Sequence, residues 1–470
     1  MLSRSAALRP AFRAAVAQSQ VRSYAVLSQD HSALSYVRRG DQPEVAAKAH
    51  NTVSKTSHGI TIASLDNLGP VSTVALVVNA GSRNDTADAP GVAHFFKNTV
   101  IRNTPGDNIV RTVRETELRG DTLYSAHTRE QIVIASDFLR DNLVDAVPLL
   151  FENLFNSHFY PYEFLHTRPA VIEQATASLA DPTTKVLDSL HQAAFRTGLG
   201  NSLFATAPAA KALKRADLEA FAAKYFTADR IAVVGAGVSH EDLKPLVEEA
   251  VAKFADRIAK GSAATVAPSK FRAGEIRIEA GPKAQSHYAV AFPSVAHTDA
   301  KYPAALVLRA ILDGTKRLKW GSGSGSAGAL ASAATPKTTV SAFEAGYTDA
   351  GIIGFYVQGA ADEVKGVASK SVAAFKALAS KVTDDALARA KKSAIVDAEA
   401  ALSRDVQVQE IAKSVFATGK VLTTADLAAA INKVTVADIQ KLAKDATAAK
   451  PAVVAYGNLL KLPYSDELSV

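Results

Sequence analysis

The amino-acid sequence predicts an α+β fold built as two tandem, homologous domains, and three observations carry that prediction. Strand and helix patterns are interleaved with hairpins, not strung as regular strand–helix–strand units. Segments of the first half recur, in the same order, in the second. A stretch rich in Gly, Ser, Ala and Pro, with neither helical nor strand periodicity, separates the two. The 470-residue length gives room for sizeable cores.

Residues 1–24 hold Arg4, Arg9, Arg13 and Arg22 and no Asp, Glu or Lys, an Arg-, Ser- and Ala-rich composition expected of a mitochondrial presequence. Arg22, Ser23, Tyr24 and Ala25 form a matrix-protease cleavage context, which puts maturation near Tyr24 and Ala25. Removing the four arginines leaves +3 of the chain's net charge of +7. The remaining basic residues are scattered among acids, which gives no case for nucleic acid. Hydrophobic residues make up 48% of the chain, but no run approaches the ~18 consecutive apolar residues of a membrane span. The absence of cysteine excludes disulfides, thiolate metal sites and cysteine nucleophiles.

The first domain is expected over residues 45–256. A polar lead-in runs to about residue 54. "HGITIASL" and "VSTVALVVNAG" then read as strands by their alternation, with Gly69-Pro70 between them. A polar loop, "GSRNDTADAPG", leads into a helix containing "GVAHFFKNTV", Gly91 to Val100. "DNIVRTVRETELRG" follows as an amphipathic segment, "LYSAHTREQIVIASDF" as paired strands, and "LVDAVPLLFENLFN" and "HTRPAVIEQATASL" as helices. Residues 257–270, "RIAKGSAATVAPSK", are expected to link this domain to a second over 271–470. "RADLEAFAAKYFTADRIAVVGAG" is echoed by "VADIQKLAKDATAAKPAVVAYG", "TREQIVIASDF" by "YTDAGIIGFYV", and "YEFLHTRPAVIEQ" by "DALARAKKSAIVD".

The chemistry turns on the helix of Gly91–Val100. A His-x-x-Glu-His helix grips zinc because residues i and i+4 share one face while the glutamate activates water. Here His94 holds position i, Lys97 stands where the base would be, and Asn98 where the second imidazole would be. Lysine is a cation at neutral pH and a carboxamide is a poor zinc ligand. Glu173, on a later helix, is placed where a distal carboxylate is expected. The equivalent helix of the second half, "YPAALVLRAILDG", carries no ligands. No catalytic or metal-binding residue is therefore predicted.

Other patterns fail individually. "VVGAGVSHEDLK" has Gly235 and Gly237 but His240 in place of the third glycine of a dinucleotide fingerprint. Ser239 is expected to cap the helix that follows, with Asp242 in the capping-box position. "HEDLK" ends in Lys244 where a metal motif needs a second histidine. "WGSGSGSAGAL" lacks Gly-Lys-Ser/Thr and is read as a flexible loop over 321–328. No Gly-x-Ser-x-Gly elbow supports a serine hydrolase.

These residues resemble a known family, the pitrilysin-like zinc peptidases (peptidase family M16), which includes mitochondrial processing peptidase and the core proteins of the mitochondrial cytochrome bc1 complex. "NAGSRNDTADAPGVAHF" is similar to the family's loop and zinc helix, and "HTREQIVI" to its Thr-x-Arg-Glu strand. "AVVGAGVSHEDLK", "FRAGEIRIEAG", "VSAFEAGYTDAGIIGFY" and "GNLLKLPYSDEL" resemble segments of the core-protein branch. The resemblance covers about residues 45–470. It implies two domains that are each a mostly antiparallel sheet packed with helices, and a non-catalytic structural subunit of ubiquinol–cytochrome c oxidoreductase without a cofactor of its own. His94, Lys97, Asn98 and Glu173 would then be the positions of a degenerate zinc site. The implied partners are core protein 1, cytochrome b, cytochrome c1 and the Rieske subunit, and the implied location is peripheral, on the matrix side of the mitochondrial inner membrane. A second possibility within the family is the non-catalytic α-subunit of the processing peptidase, whose glycine-rich loop has a counterpart in 321–328; that subunit usually keeps the glutamate replaced here by Lys97.

Overall fold

The computed structural model describes residues 50–66, 69–259, 267–281, 284–315, 328–400 and 404–468. The expected presequence with its Tyr24–Ala25 junction, residues 260–266 of the expected linker, and the Gly-Ser loop up to residue 327 lie outside the described residues.

Two sheets organise the chain. The first contains β1 (His50–Lys55), β2 (Thr61–Asp66), β3 (Val71–Val78), β4 (Thr122–His127), β5 (Ile132–Leu139) and β6 (Ile231–Ala236), in the order β1-β2-β6-β3-β5-β4. The second contains β7 (Glu275–Glu279), β8 (Ser286–Ser294), β9 (Thr338–Gly346), β10 (Gly351–Gly359) and β11 (Ala452–Gly457), in the order β7-β11-β8-β10-β9. β2 with β6 and β7 with β11 are parallel pairs. The pairs β6–β3, β3–β5 and β5–β4 are antiparallel, as are β11–β8, β8–β10 and β10–β9. Among the described residues the sheets match strand for strand except that β1 has no counterpart, so the mostly antiparallel α+β duplication is present.

The strand β1 corrects the expected polar lead-in. Its sequence, "HNTVSK", has little apolar alternation; it lies at the sheet edge beside β2, and its side chains reach residues far along the chain. Ser54 Oγ meets His240 Nε2 at 2.9 Å, and Asn51 Nδ2 donates to Val421 O at 3.4 Å. The other ring nitrogen of His240 meets Ser64 Oγ at 2.9 Å, so the imidazole bridges β1 and β2.

Side-chain alternation sorts the sheets into a large-residue face and a small-residue face. In the first, Val74, Leu76 and Val78 enter one core while Ala75 and Val77 enter another. The helices α1 (Val92–Thr99), α3 (Leu143–Phe155), α7 (Arg215–Tyr225) and α8 (His240–Lys253) fill the large-residue core with Phe95, Phe96, Phe151, Phe221 and Val247; α2 (Ile109–Arg119), α4 (Phe164–Ala180), α5 (Pro182–Phe195) and α6 (Ala207–Ala212) complete the helices of this half among the described residues. In the second half, α9 (Tyr302–Leu312), α10 (Ala361–Ala377), α11 (Asp384–Ala400) and α14 (Val436–Thr447) do the same with Leu308, Val367, Leu387 and Ile439, and α12 (Arg404–Thr418) and α13 (Thr424–Lys433) lie between them in sequence.

The small-residue faces are covered by exchange. Ala63, Ala75, Ala135, Ala232 and Ala236 of the first sheet pack against Val408, Ile411, Ala412 and Val415 of α12, which belongs to the second half of the sequence. Ala289, Ala291 and Ala452 of the second sheet pack against Val186, Leu190, Ala193 and Ala194 of α5, from the first half. Alanines let a helix approach closely, and each sheet becomes buried on both faces. A division at residues 257–270 separates the sheets but leaves each with a helix contributed from across that division.

The exchange makes a specific demand on stability. Ile411→Ala is expected to cost about 2–5 kcal/mol in urea denaturation, and to lower the stability of the first-half sheet together with the second in one cooperative transition. Two separate transitions, with only the second half affected, would refute the shared core.

Candidate functional site

The helix α1 is set by its N-terminal turn. Gly91 has φ +77°, and a Cβ there would fall 2.4 Å from the Cβ of Ala205, so only glycine fits. Asp85, six residues upstream of Gly91, caps the helix from outside: its Oδ2 accepts from Gly91 N at 2.8 Å and its Oδ1 from Ala93 N at 3.1 Å. Burial pushes the Asp85 carboxyl up to about 7, against these two donors, which favour its charged form. Phe95 and Phe96 lock the inner face, Phe96 with its ring centroid 4.7 Å from that of Phe226 and 5.5 Å from that of Phe159.

His94 is only 1% exposed, and its surroundings fix its proton. The Ala205 backbone N–H donates to His94 Nδ1 at 3.2 Å, so the ring proton sits on Nε2, which donates to Gln174 Oε1 at 3.1 Å. Lys97 Nζ and Asn98 Nδ2 donate to the same oxygen at 3.3 and 3.1 Å, and Asn98 Nδ2 also donates to His94 O at 2.9 Å. Three donors thus converge on one neutral amide oxygen. The His127 ring stacks on His94 at 5.0 Å and its Nε2 donates to Leu203 O at 2.7 Å, while Phe204 meets His94 edge-on at 5.7 Å. Burial lowers both imidazoles to about 4, and it also lowers the Lys97 ammonium.

His94, Lys97 and Asn98 come together as their spacing predicts, but Glu173 does not join them. Glu173 is exposed, and the residue of α4 that reaches the cluster is its neighbour Gln174. Consecutive residues of a helix point about 100° apart, so a one-residue error moves a side chain to another face. Sequence reasoning sought a carboxylate and passed over the adjacent carboxamide. The signal that could have found it is its distance of 76 residues from Asn98, together with the three donors awaiting an acceptor. Among the described residues no group of three or more His, Asp or Glu side chains is placed to hold a metal ion. Ser239 does occupy the N-cap of α8, but its side chain makes no capping hydrogen bond, and the turn is held instead through His240.

Comparison with known proteins places this chain in a class. The family profile described as "Insulinase (Peptidase family M16)" matches residues 61–207, and that described as "Peptidase M16 inactive domain" matches residues 212–394. The chain belongs to the peptidase M16 family. Within it, the chain is 31% identical to "Cytochrome b-c1 complex subunit 2, mitochondrial" of Cryptococcus neoformans var. grubii, over 89% of this chain and 95% of that one. It is 32% identical to the protein of the same name from Yarrowia lipolytica, over 91% of this chain and 99% of that one. Its fold matches a chain of the solved structure "Complex III2 from Candida albicans, Inz-5 bound" with a TM-score of 0.78 at 20% identity, covering 89% of this chain and 99% of the other.

Two measurements check the cluster. In an NMR titration the His94 and His127 rings should stay neutral through pH 5, with the His94 proton on Nε2; titration near pH 6.5 would contradict the geometry. Because the unfolded chain takes up protons below pH 6.5 that folded His94 refuses until about pH 4, its contribution to stability is present at neutral pH and is lost as pH falls through that window. The stability gap between wild type and His94→Leu should therefore narrow below pH 6.5, by at most about 1.4 kcal/mol per pH unit. Gly91→Ala should destabilise by about 1–3 kcal/mol in thermal or urea denaturation.

Proposed function

We propose that this chain is a non-catalytic structural subunit of the mitochondrial cytochrome bc1 complex, holding the position of the subunit 2 proteins it is similar to and supporting assembly and stability of the complex in respiratory electron transport. The observation that carries the reading is the closed cluster on α1. In a zinc peptidase of this family that helix presents ligands and a base to a metal-bound water. Here His94 spends its Nε2 proton on Gln174, a Lys97 ammonium lies beside the same oxygen, and Asn98 points its N–H groups inward. The position offers zinc one histidine, with no second imidazole and no carboxylate, and has no base to take a proton from water, so His94, Lys97, Asn98 and the distal position on α4 form a degenerate zinc site.

The partners that fit this role are core protein 1, cytochrome b, cytochrome c1 and the Rieske subunit, with the redox chemistry on the latter three and no cofactor on this chain. Among the described residues no helix is long and apolar enough to cross a membrane. A peripheral position fits this, held by other subunits, and the side that goes with the proposed role is the matrix side of the inner membrane. The test is purification of the complex from mitochondria in mild detergent: co-migration of this chain with cytochromes b and c1 is expected, and migration only with a soluble peptidase subunit would overturn the assignment.

The degenerate site makes a prediction of its own. Purified wild-type protein should contain no stoichiometric zinc and show no chelator-sensitive peptide cleavage. Lys97→Glu with Asn98→His still lacks a carboxylate from α4 and should remain inactive. Adding Gln174→Glu, and not Glu173→Gln, should raise zinc affinity in a chelator competition assay.

A further inference from the structure

The two halves of the chain also meet at a polar cavity that lies outside the α1 cluster. Its floor is the loop of Arg83 to Thr86, and its roof is the extended segment from Ala267 to Arg272. That roof is fixed at both ends: Ser269 N donates to Asp349 Oδ2 at 2.6 Å, and Arg272 N donates to Ala194 O at 2.6 Å. Gly198, at φ +65°, closes one side, and a Cβ there would stand 3.9 Å from both Arg83 Cγ and Ser269 Oγ. The cavity is open to solvent and has a volume of about 350 Å³, within the usual range for small-molecule sites.

The charges of the lining are uneven. Lys270 and Arg272 of the roof segment both line the cavity. Neither makes an ion pair or a side-chain hydrogen bond among the described residues, although the loop and turns below them are rich in paired charges. Arg83 is 9% exposed and rigidly held, with Nη1 on Glu130 at 2.7 Å and Nη2 on Asp349, yet its buried Nε has no partner. The one acid of the lining, Asp85, turns both oxygens away onto the N-terminus of α1. Thr86, Thr197 and Ser269 also line it. A cavity lined by two cations that no carboxylate neutralises, with its one acid turned away, favours negative charge.

We infer that this cavity is a binding site for a small, multiply charged oxyanion, held by Lys270 and Arg272 at the junction of the two halves. Phosphate esters and polycarboxylates share this chemistry. The ligand would link the loop that precedes α1 to the segment that enters the second sheet, and so brace the junction without touching the α1 cluster.

Isothermal titration of the full mature chain at low ionic strength, with pyrophosphate in one arm and citrate in another, tests the site and separates the two sources. Saturable binding of one probe per chain is expected, the tighter probe identifying the ligand class. Lys270→Ala with Arg272→Ala should weaken it by about tenfold for each lost charge-assisted contact, while leaving the melting temperature without ligand unchanged because both side chains are exposed. Lys270→Arg should retain binding. Absence of saturable binding by both probes, or binding unaffected by the double alanine variant, would overturn the site.

Discussion

The structure depends on the fit between alanine-lined sheet faces and the helices that cross over to cover them. A sheet of this size with one bare face would expose a large apolar surface to water. Both sheets avoid this by burying the small-residue face under a helix from the opposite half, α12 on the first and α5 on the second. Because the halves are repeats, the exchange is reciprocal: α5 and α12 occupy equivalent places in their own half and perform the same task in the other. Neither half can complete its core alone, which makes the chain one folding unit despite two sheets and two family profiles.

The contacts at the junction follow the same logic. Glu130 and Asp349 sit at matching positions in the turns of the β4–β5 and β9–β10 hairpins, and both hold the guanidinium of Arg83. Glu130 also accepts from Thr348 N at 3.1 Å and from Thr348 Oγ1 at 2.8 Å, so each hairpin turn contacts the other directly. Ion pairs buried in this way set geometry more than they add stability. They hold the loop of Ser82 to Asp85 in place, and that loop in turn caps α1. The precision of the α1 cluster thus derives from the same junction that joins the halves.

A helix so well positioned is what a metal site needs, and here the positioning serves a closed hydrogen-bond network. Every polar group of His94, Lys97 and Asn98 that faces Gln174 is a donor, and the amide oxygen answers all three. Stacked His127 and edge-on Phe204 exclude water from the imidazole, which keeps it neutral.

The sequence by itself determined the α+β class, the duplication, the strands and helices with clear periodicity, and the chemical poverty of the α1 helix, because each of these is written in local residue types and their spacing. His94, Lys97 and Asn98 share a turn and could be placed together from spacing alone. Only the tertiary structure decided that α5 and α12 change partners, that polar β1 becomes a strand, that Gln174 and not Glu173 completes the cluster, and that His127 stacks upon it. Those outcomes rest on contacts between residues tens to hundreds of positions apart. An alanine-rich strand face reveals that something must cover it, but the choice of helix is made by shape and reach once the chain has folded.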